Sequence, residues 1–167
     1  MRAMRREKRE ITDISALKEI LDTCRVVRIG TLDEEGVYIV PVNYGYEWEE
    51  APGEKPVLKL YIHSAKEGRK ADAFARRQEV SFELDKEVGV IRGDYSCSYS
   101  FAFQSIMGQG NIRKLSDLEE KKRGLTLLME HMEPRCSISF TDEMLAAADV
   151  YCIEASWYTG KERRPAL

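Results

Sequence analysis

Leu60-Tyr61-Ile62-His63-Ser64-Ala65-Lys66-Glu67-Gly68-Arg69-Lys70 joins a strand-like apolar run to the start of a helix through a polar corner. Helix N-termini present unpaired N–H groups and the positive end of the backbone dipole, which suits phosphate. Here Ser64 can cap the helix, and Gly68 can let a ligand come close to the backbone. Lys66, Arg69 and Lys70 can add charge-assisted hydrogen bonds. The segment therefore predicts a phosphate cradle at a strand–helix junction. The same residues also spell a plain capping box, Ser64-x-x-Glu67, which needs no ligand, and Glu67 would repel a phosphate on its own side.

Upstream, the spacing of Ile14, Leu17, Ile20, Leu21 and Cys24 predicts an amphipathic helix from Asp13 to about Thr23, capped by Asp13 or Thr12. Val26–Leu32 and Val37–Tyr46 flank the turn Asp33-Glu34-Glu35-Gly36 and read as a hairpin. Pro41 lies inside the second run. Because proline cannot donate to a ladder, that strand is expected at an edge or bulged, which frees backbone groups for a ligand or simply marks an edge. Residues 47–56 read as an acidic loop and Val57–Ile62 as a third strand.

Downstream, Glu67 to about Arg77 reads as a helix with Ala71, Phe74 and Ala75 inward. Val80–Leu84 is a fourth strand, Gly89–Ser98 a loop, and Phe101 to about Ile112 a fifth strand interrupted by Gly108 and Gly110. Ser116-x-x-Glu119 opens a helix with Leu118, Leu125, Leu128, Met129 and Met132 on one face, and Pro134 ends it. A short helix at Asp142–Ala148 precedes a last strand, Val150–Trp157. Six or more strands with mostly antiparallel neighbours and short helices between them predict a mainly β fold, a closed β-barrel with added helices.

The chain has 167 residues, 43% of them hydrophobic, which fits a single domain spanning 1–167 with a substantial core. A net charge of −3 argues against a nucleic-acid protein. Residues 1–10 carry five Lys/Arg and two Asp/Glu, so this basic start (Arg2, Arg5, Arg6, Lys8, Arg9) is +3 and the remainder about −6. It reads as a solvated arm or helix start, with a membrane or nucleic-acid tether as the alternative. No membrane span and no export signal are expected, so Cys24, Cys97, Cys136 and Cys152 should be reduced thiols in a cytoplasm. With two histidines far apart, His63 and His131, no metal site is expected. His131, near a helix C-terminus, should be structural.

Four ordered segments carry a resemblance: Val40-Pro41-Val42-Asn43-Tyr44-Gly45-Tyr46, Tyr61–Lys70, Ser105-Ile106-Met107-Gly108-Gln109-Gly110 and Trp157-Tyr158-Thr159-Gly160-Lys161. Together they resemble the pyridoxamine 5′-phosphate oxidase-like flavoproteins, in the branch of nitroimidazole-resistance proteins, from about Ile11 to Lys161. The resemblance implies a six-stranded split β-barrel of antiparallel Greek-key type. It also implies a homodimer with FMN in grooves at the subunit interface. Carried over to this chain, Ile62, His63, Ser64, Ala65, Lys66 and Gly68 would surround the FMN phosphate, with Arg69 and Lys70 as its main cations. Val40, Pro41, Val42 and Asn43 would run along the isoalloxazine ring. Gln104 and Ser105 would reach FMN across the dimer, and Trp157 and Lys161 would close the groove. His63 would lie near the flavin, as a catalytic proton donor or as a mere surface histidine. The arginine- and histidine-bearing C-terminal segment that holds pyridoxal phosphate in the true oxidases has no counterpart in Arg163-Arg164-Pro165-Ala166-Leu167, so pyridoxamine oxidation is not expected.

Three functions compete. One is an FMN-dependent oxidoreductase that reduces a small electron-poor compound, such as a nitroaromatic, with electrons from NAD(P)H or a partner reductase. No Rossmann glycine fingerprint is present, so a nicotinamide would visit the flavin only transiently. The second is a module that holds FMN, haem or another ligand without turnover, favoured by the lack of a clear acid–base pair. The third is an interaction protein that has lost the site. Ser64, Gly68, Arg69 and Lys70 together argue against it.

Overall fold

The two-residue link Asn43-Tyr44 joins strands that stand at opposite ends of one pairing path. The computed structural model describes residues 4–164. Its elements are β1 (Glu10–Ile11), α1 (Ile14–Thr23), β2 (Val27–Asp33), β3 (Gly36–Val42), β4 (Gly45–Glu49), β5 (Val57–Ser64), α2 (Arg69–Arg76), β6 (Glu79–Ile91), β7 (Ser100–Lys114), α3 (Leu118–Met132), α4 (Asp142–Ala147) and β8 (Asp149–Arg163). The strands pair antiparallel in the order β3-β2-β6-β7-β8-β5-β4, with β1 added to β8. Three residue steps from Val42 to Gly45 span about 10 Å at most, so the two ends of the sheet must curl towards each other. Among the described residues β3 and β4 do not pair, and the barrel is split there.

Side-chain alternation fills the interior. Val27, Ile29, Val80, Phe82, Leu84, Ile106, Ile112, Ile153 and Tyr158 bury one face of the sheet, and α1 lays Leu17, Ile20 and Leu21 into the same cluster. Asp13 caps α1 by accepting the Ser15 N–H at 2.9 Å, one of the two caps expected. The split is pinned by Tyr44, which is fully buried and donates its hydroxyl to the Leu21 carbonyl at 2.8 Å. His131 packs on the Tyr44 ring at 4.7 Å and hydrogen-bonds the Cys24 carbonyl at 2.8 Å. It therefore ties the end of α3 to the end of α1, a structural role.

Several sequence expectations need correction. The described residues form eight strands, not six. Val37–Tyr46 is not one strand, because Tyr44 turns inward to bury its ring and so breaks the run into β3 and β4. The acidic segment 47–56 gives Glu47–Glu49 to β4, since Glu47 is buried against Tyr61, Arg123 and Lys59. Burial would raise the Glu47 carboxyl, but hydrogen bonds from Tyr61 and Arg123 outweigh it and hold the group below the usual carboxylate range. β6, β7 and β8 run on past their apolar cores, so Gly89–Ile91 belong to β6 rather than to a loop. Ala73, not Ala75, faces inward from α2.

In α3 the cap is Asp117, which accepts the Glu120 N–H, and the buried positions are Lys121, Gly124 and Leu128, while Leu118 and Met129 are exposed. The helix lies so close to β4 and β5 that glycine is needed at the crossing. At the basic start, Glu7–Arg9 make a short 3-10 turn and Glu10 pairs with Lys161 in β1, so the arm ends in the sheet. Arg2 and Pro165–Leu167 lie outside the described residues. No helix among the described residues is long and apolar enough to cross a membrane.

A Cβ at Gly45 would stand 2.3 Å from the Leu128 nitrogen of α3. Gly45→Ala should therefore destabilise the fold by about 2–3 kcal/mol through overpacking. Thermal unfolding followed by circular dichroism should show Tm lower by roughly 5–10 °C; an unchanged Tm would contradict this contact.

Candidate functional site

β5 ends inside the sheet. Its last residues pair with β8 as Ile62↔Tyr151, His63↔Val150 and Ser64↔Asp149. Ile62 and Ser64 are buried, while His63 alternates to the exposed side. The chain then turns through Ala65–Gly68 and opens α2 at Arg69. Phe74 of α2 meets Tyr151 edge-on at 5.5 Å and fixes the helix on the sheet.

The expected capping by Ser64 does not occur, because Ser64 is still strand and four residues short of the helix. Gly68 is the N-cap, with φ at 108° and open space where a Cβ would be. A glycine has no side chain to cap the first turn, so the N–H groups of Arg69, Lys70 and Ala71 face outward without an intrahelical acceptor. Lys70 Nζ lies 3.4 Å from the His63 carbonyl, and burial lowers its pKa. Among the described residues, Lys66 and Lys70 have no carboxylate within ion-pair distance. This uncapped turn with nearby cations fits a phosphate; exposed Glu67, Asp72 in the first turn and the carboxylates paired with Arg69 count against it.

Arg69 is already engaged. Its Nε and Nη2 donate to Asp33 at 2.6 and 3.0 Å, Glu35 stands 3.1 Å from Nη1, and the guanidinium lies 4.5 Å over the Tyr38 ring. Arg76 pairs with Glu34 in the same turn. Asp33, Glu35 and Tyr38 were not singled out from the sequence. The signal was the concentration of three carboxylates in one hairpin turn, which an ordinary solvated turn explains equally well.

β3 is an edge strand that pairs with β2 in unbroken register, so Val40, Pro41 and Val42 lie along a free edge, Pro41 facing Arg28 of β2. Asn43 is spent on structure, donating its amide to the Arg25 carbonyl at 2.9 Å. Beside this edge, Val37, Ile39, Thr31, Ser81 and Gln109 line an open groove of about 690 Å³. The Thr31 hydroxyl there is buried with no partner among the described residues.

The remaining predicted residues form a second group. Ser105 stands opposite Lys161, and Gln104 opposite Glu162, which its amide reaches at 3.3 Å. Adjacent strand residues face opposite sides, so Gln104 and Ser105 do not point the same way. Trp157 donates its indole N–H to Gln109 at 2.9 Å. Asp149, beside Ser64, and Lys161 are twelve residues apart on β8, about 40 Å of strand at 3.3 Å per residue. One chain thus brings together the cradle and the β2–β3 hairpin, while Gln104, Ser105 and Lys161 sit at the other end of β8 from the cradle. The buried thiols of Cys24 and Cys152 are pushed up to about 11 by desolvation, which makes them poor nucleophiles.

Residues 13–162 match a family model described as pyridoxamine 5′-phosphate oxidase. That span includes every predicted site residue. No curated protein matches the chain. Among solved structures, a proposed 5-nitroimidazole antibiotic resistance protein from Bacteroides thetaiotaomicron is 28% identical, with TM-score 0.75 over 92% of this chain and 86% of that one. A flavocytochrome from Azotobacter vinelandii is 18% identical, with TM-score 0.78 over 99% of this chain and 74% of that one. An FAD- and haem-binding protein from Mycobacterium smegmatis is also 18% identical, with TM-score 0.78 over 95% and 76%. The last two show likeness of fold.

Burial and the neighbouring Lys70 charge both lower the His63 pKa. Its NMR titration midpoint should fall below the ordinary histidine value of about 6.5, so the ring is neutral at pH 7. Lys70→Ala should move the midpoint upward, with His131→Gln used to assign the two histidines. A midpoint that stays put in Lys70→Ala would remove the lysine from the histidine's surroundings.

Proposed function

Because the chain belongs to the pyridoxamine 5′-phosphate oxidase family, we propose that it is an FMN-dependent oxidoreductase that reduces a small electron-poor compound. The observation that carries this reading is the uncapped first turn of α2, where Gly68 leaves the backbone N–H groups open beside Lys66, Arg69 and Lys70. A dianionic phosphate is the ligand that such a turn suits best. The flavin ring would then extend towards the free edge of β3 at Val40-Pro41-Val42, and the flavin, once bound, supplies hydride chemistry.

The two groups of predicted residues suit a homodimer. Lys161 stands twelve residues along β8 from Asp149, so Gln104, Ser105 and Lys161 would serve this groove from a second copy, while Trp157 borders it within the same chain through Gln109. His63 sits at the end of β5; its protonated form, the minor one at pH 7 because burial and Lys70 lower its pKa, can give a proton to the substrate as it is reduced, and the neutral ring can donate a hydrogen bond. A nitroaromatic compound is the acceptor of choice, in line with the 5-nitroimidazole resistance proposed for the Bacteroides protein. NAD(P)H is the electron donor of choice, making a transient visit to the flavin face.

Purified protein mixed with FMN should show the two-band flavin spectrum, bleach with NAD(P)H and recover on adding a nitroaromatic or air. Arg69→Ala with Lys70→Ala should lose about 3 kcal/mol of FMN affinity, more than a hundredfold in Kd, while the fold persists. Undiminished flavin uptake by that variant would move the phosphate elsewhere. Bound flavin that never bleaches would mark a flavin-holding module, and a Soret band in place of flavin would mark a haem protein.

A further inference from the structure

The contact between the β2–β3 turn and the start of α2 is built more tightly than a surface ion pair requires. Asp33 is itself fixed: its carboxylate accepts the backbone N–H of Glu35 at 2.9 Å, and its side chain is only 11% exposed. The Arg69 hydrogen bonds and the Glu35 backbone N–H together hold the Asp33 carboxyl below the usual carboxylate range, so it is ionised at neutral pH. It grips Arg69 through two parallel hydrogen bonds, and Tyr38 supports the flat face of the guanidinium. Arginine has five N–H donors in a rigid plane. Asp33 takes one on Nε and one on Nη2, and Glu35 lies beside Nη1, so both terminal nitrogens keep a donor for another acceptor.

On the flavin reading above, we infer that Asp33 is a positioning residue for the phosphate: it fixes the plane of Arg69 so that the remaining donors are held ready beside the open turn of α2. An arginine free in solution loses side-chain freedom on meeting its ligand, whereas one locked in place by a hairpin carboxylate does not. The hairpin turn is thus part of the binding site although it touches no ligand.

The test compares FMN with riboflavin, which shares the ring and lacks the phosphate. Asp33→Asn keeps the side-chain shape and an acceptor for the Glu35 N–H but removes the charge and the second strong acceptor. Its Kd for FMN should rise about tenfold, the size of coupling seen within one hydrogen-bond network, with riboflavin affinity unchanged. In an Arg69→Lys background, which has no planar fork, Asp33→Asn should cost FMN binding nothing further. The proposal falls if FMN and riboflavin weaken equally, since Asp33 would then serve only the fold. It falls too if FMN binds as well or more tightly in Asp33→Asn, since the carboxylate would then compete with the phosphate. Should Asp33→Asn not fold, Asp33→Glu with the same two ligands takes its place, and an unchanged FMN-to-riboflavin ratio overturns the proposal. Wild-type protein that binds neither ligand would instead remove the flavin reading, and one that binds both alike would remove the phosphate cradle; either outcome takes this inference with it.

Discussion

The joint at Asn43-Tyr44 is the constraint on which the rest of the molecule depends. A sheet path of seven strands has its two ends tied by about 10 Å of chain, so it closes on itself and leaves a split. Tyr44 holds the joint by burying its ring and hydrogen-bonding the last carbonyls of α1. Asn43 reaches the Arg25 carbonyl, and His131 brings α3 onto the same spot. The free edge of β3 exists because the split exists, and the helix start that follows β5 stands beside the hairpin that β3 belongs to. Removing the Tyr44 ring would leave a cavity and unpaired carbonyls at the one place where the barrel ends meet.

Local electrostatics around α2 run against the bulk charge of the chain. The protein is net negative, yet the corner from Lys66 to Lys70 gathers three cations in five residues. The β2–β3 turn answers with Asp33, Glu34 and Glu35, two of which hold Arg69 while the third holds Arg76. Exposed ion pairs add little stability by themselves. Their effect here is directional, because a bidentate pair with a largely buried carboxylate fixes an orientation more than it contributes energy.

The sequence made the β-rich hairpin, the α1 stripe and the strand–corner–helix run legible because each follows a local periodicity or a turn chemistry. Pro41 announced an edge strand, and β3 is one. The break at Tyr44 was hidden, since an aromatic residue suits a strand and only its tertiary partners on α1 and α3 turn it inward. Glu47 misled for the mirror reason: an acidic residue reads as loop, but Tyr61 and Arg123 make its burial tolerable. The far ends of β6 and β8 mix polar and apolar side chains without a clean alternation, so their pairing with β7 is what keeps them in the sheet. At the candidate site the cations were legible as letters. That Gly68 rather than Ser64 begins the helix, and that Arg69 is held by a turn thirty-six residues upstream, depends on contacts that no local pattern encodes.

The backbone amides of Gly68, Arg69, Lys70 and Ala71 offer the most direct view of the phosphate cradle. An amide NMR titration with FMN, and separately with riboflavin, reads them one by one. If the start of α2 holds the phosphate, these resonances move downfield with FMN and stay in place with riboflavin, while residues along β3 respond to both. Amides of α2 that ignore FMN while the ligand binds elsewhere would contradict the cradle at its root.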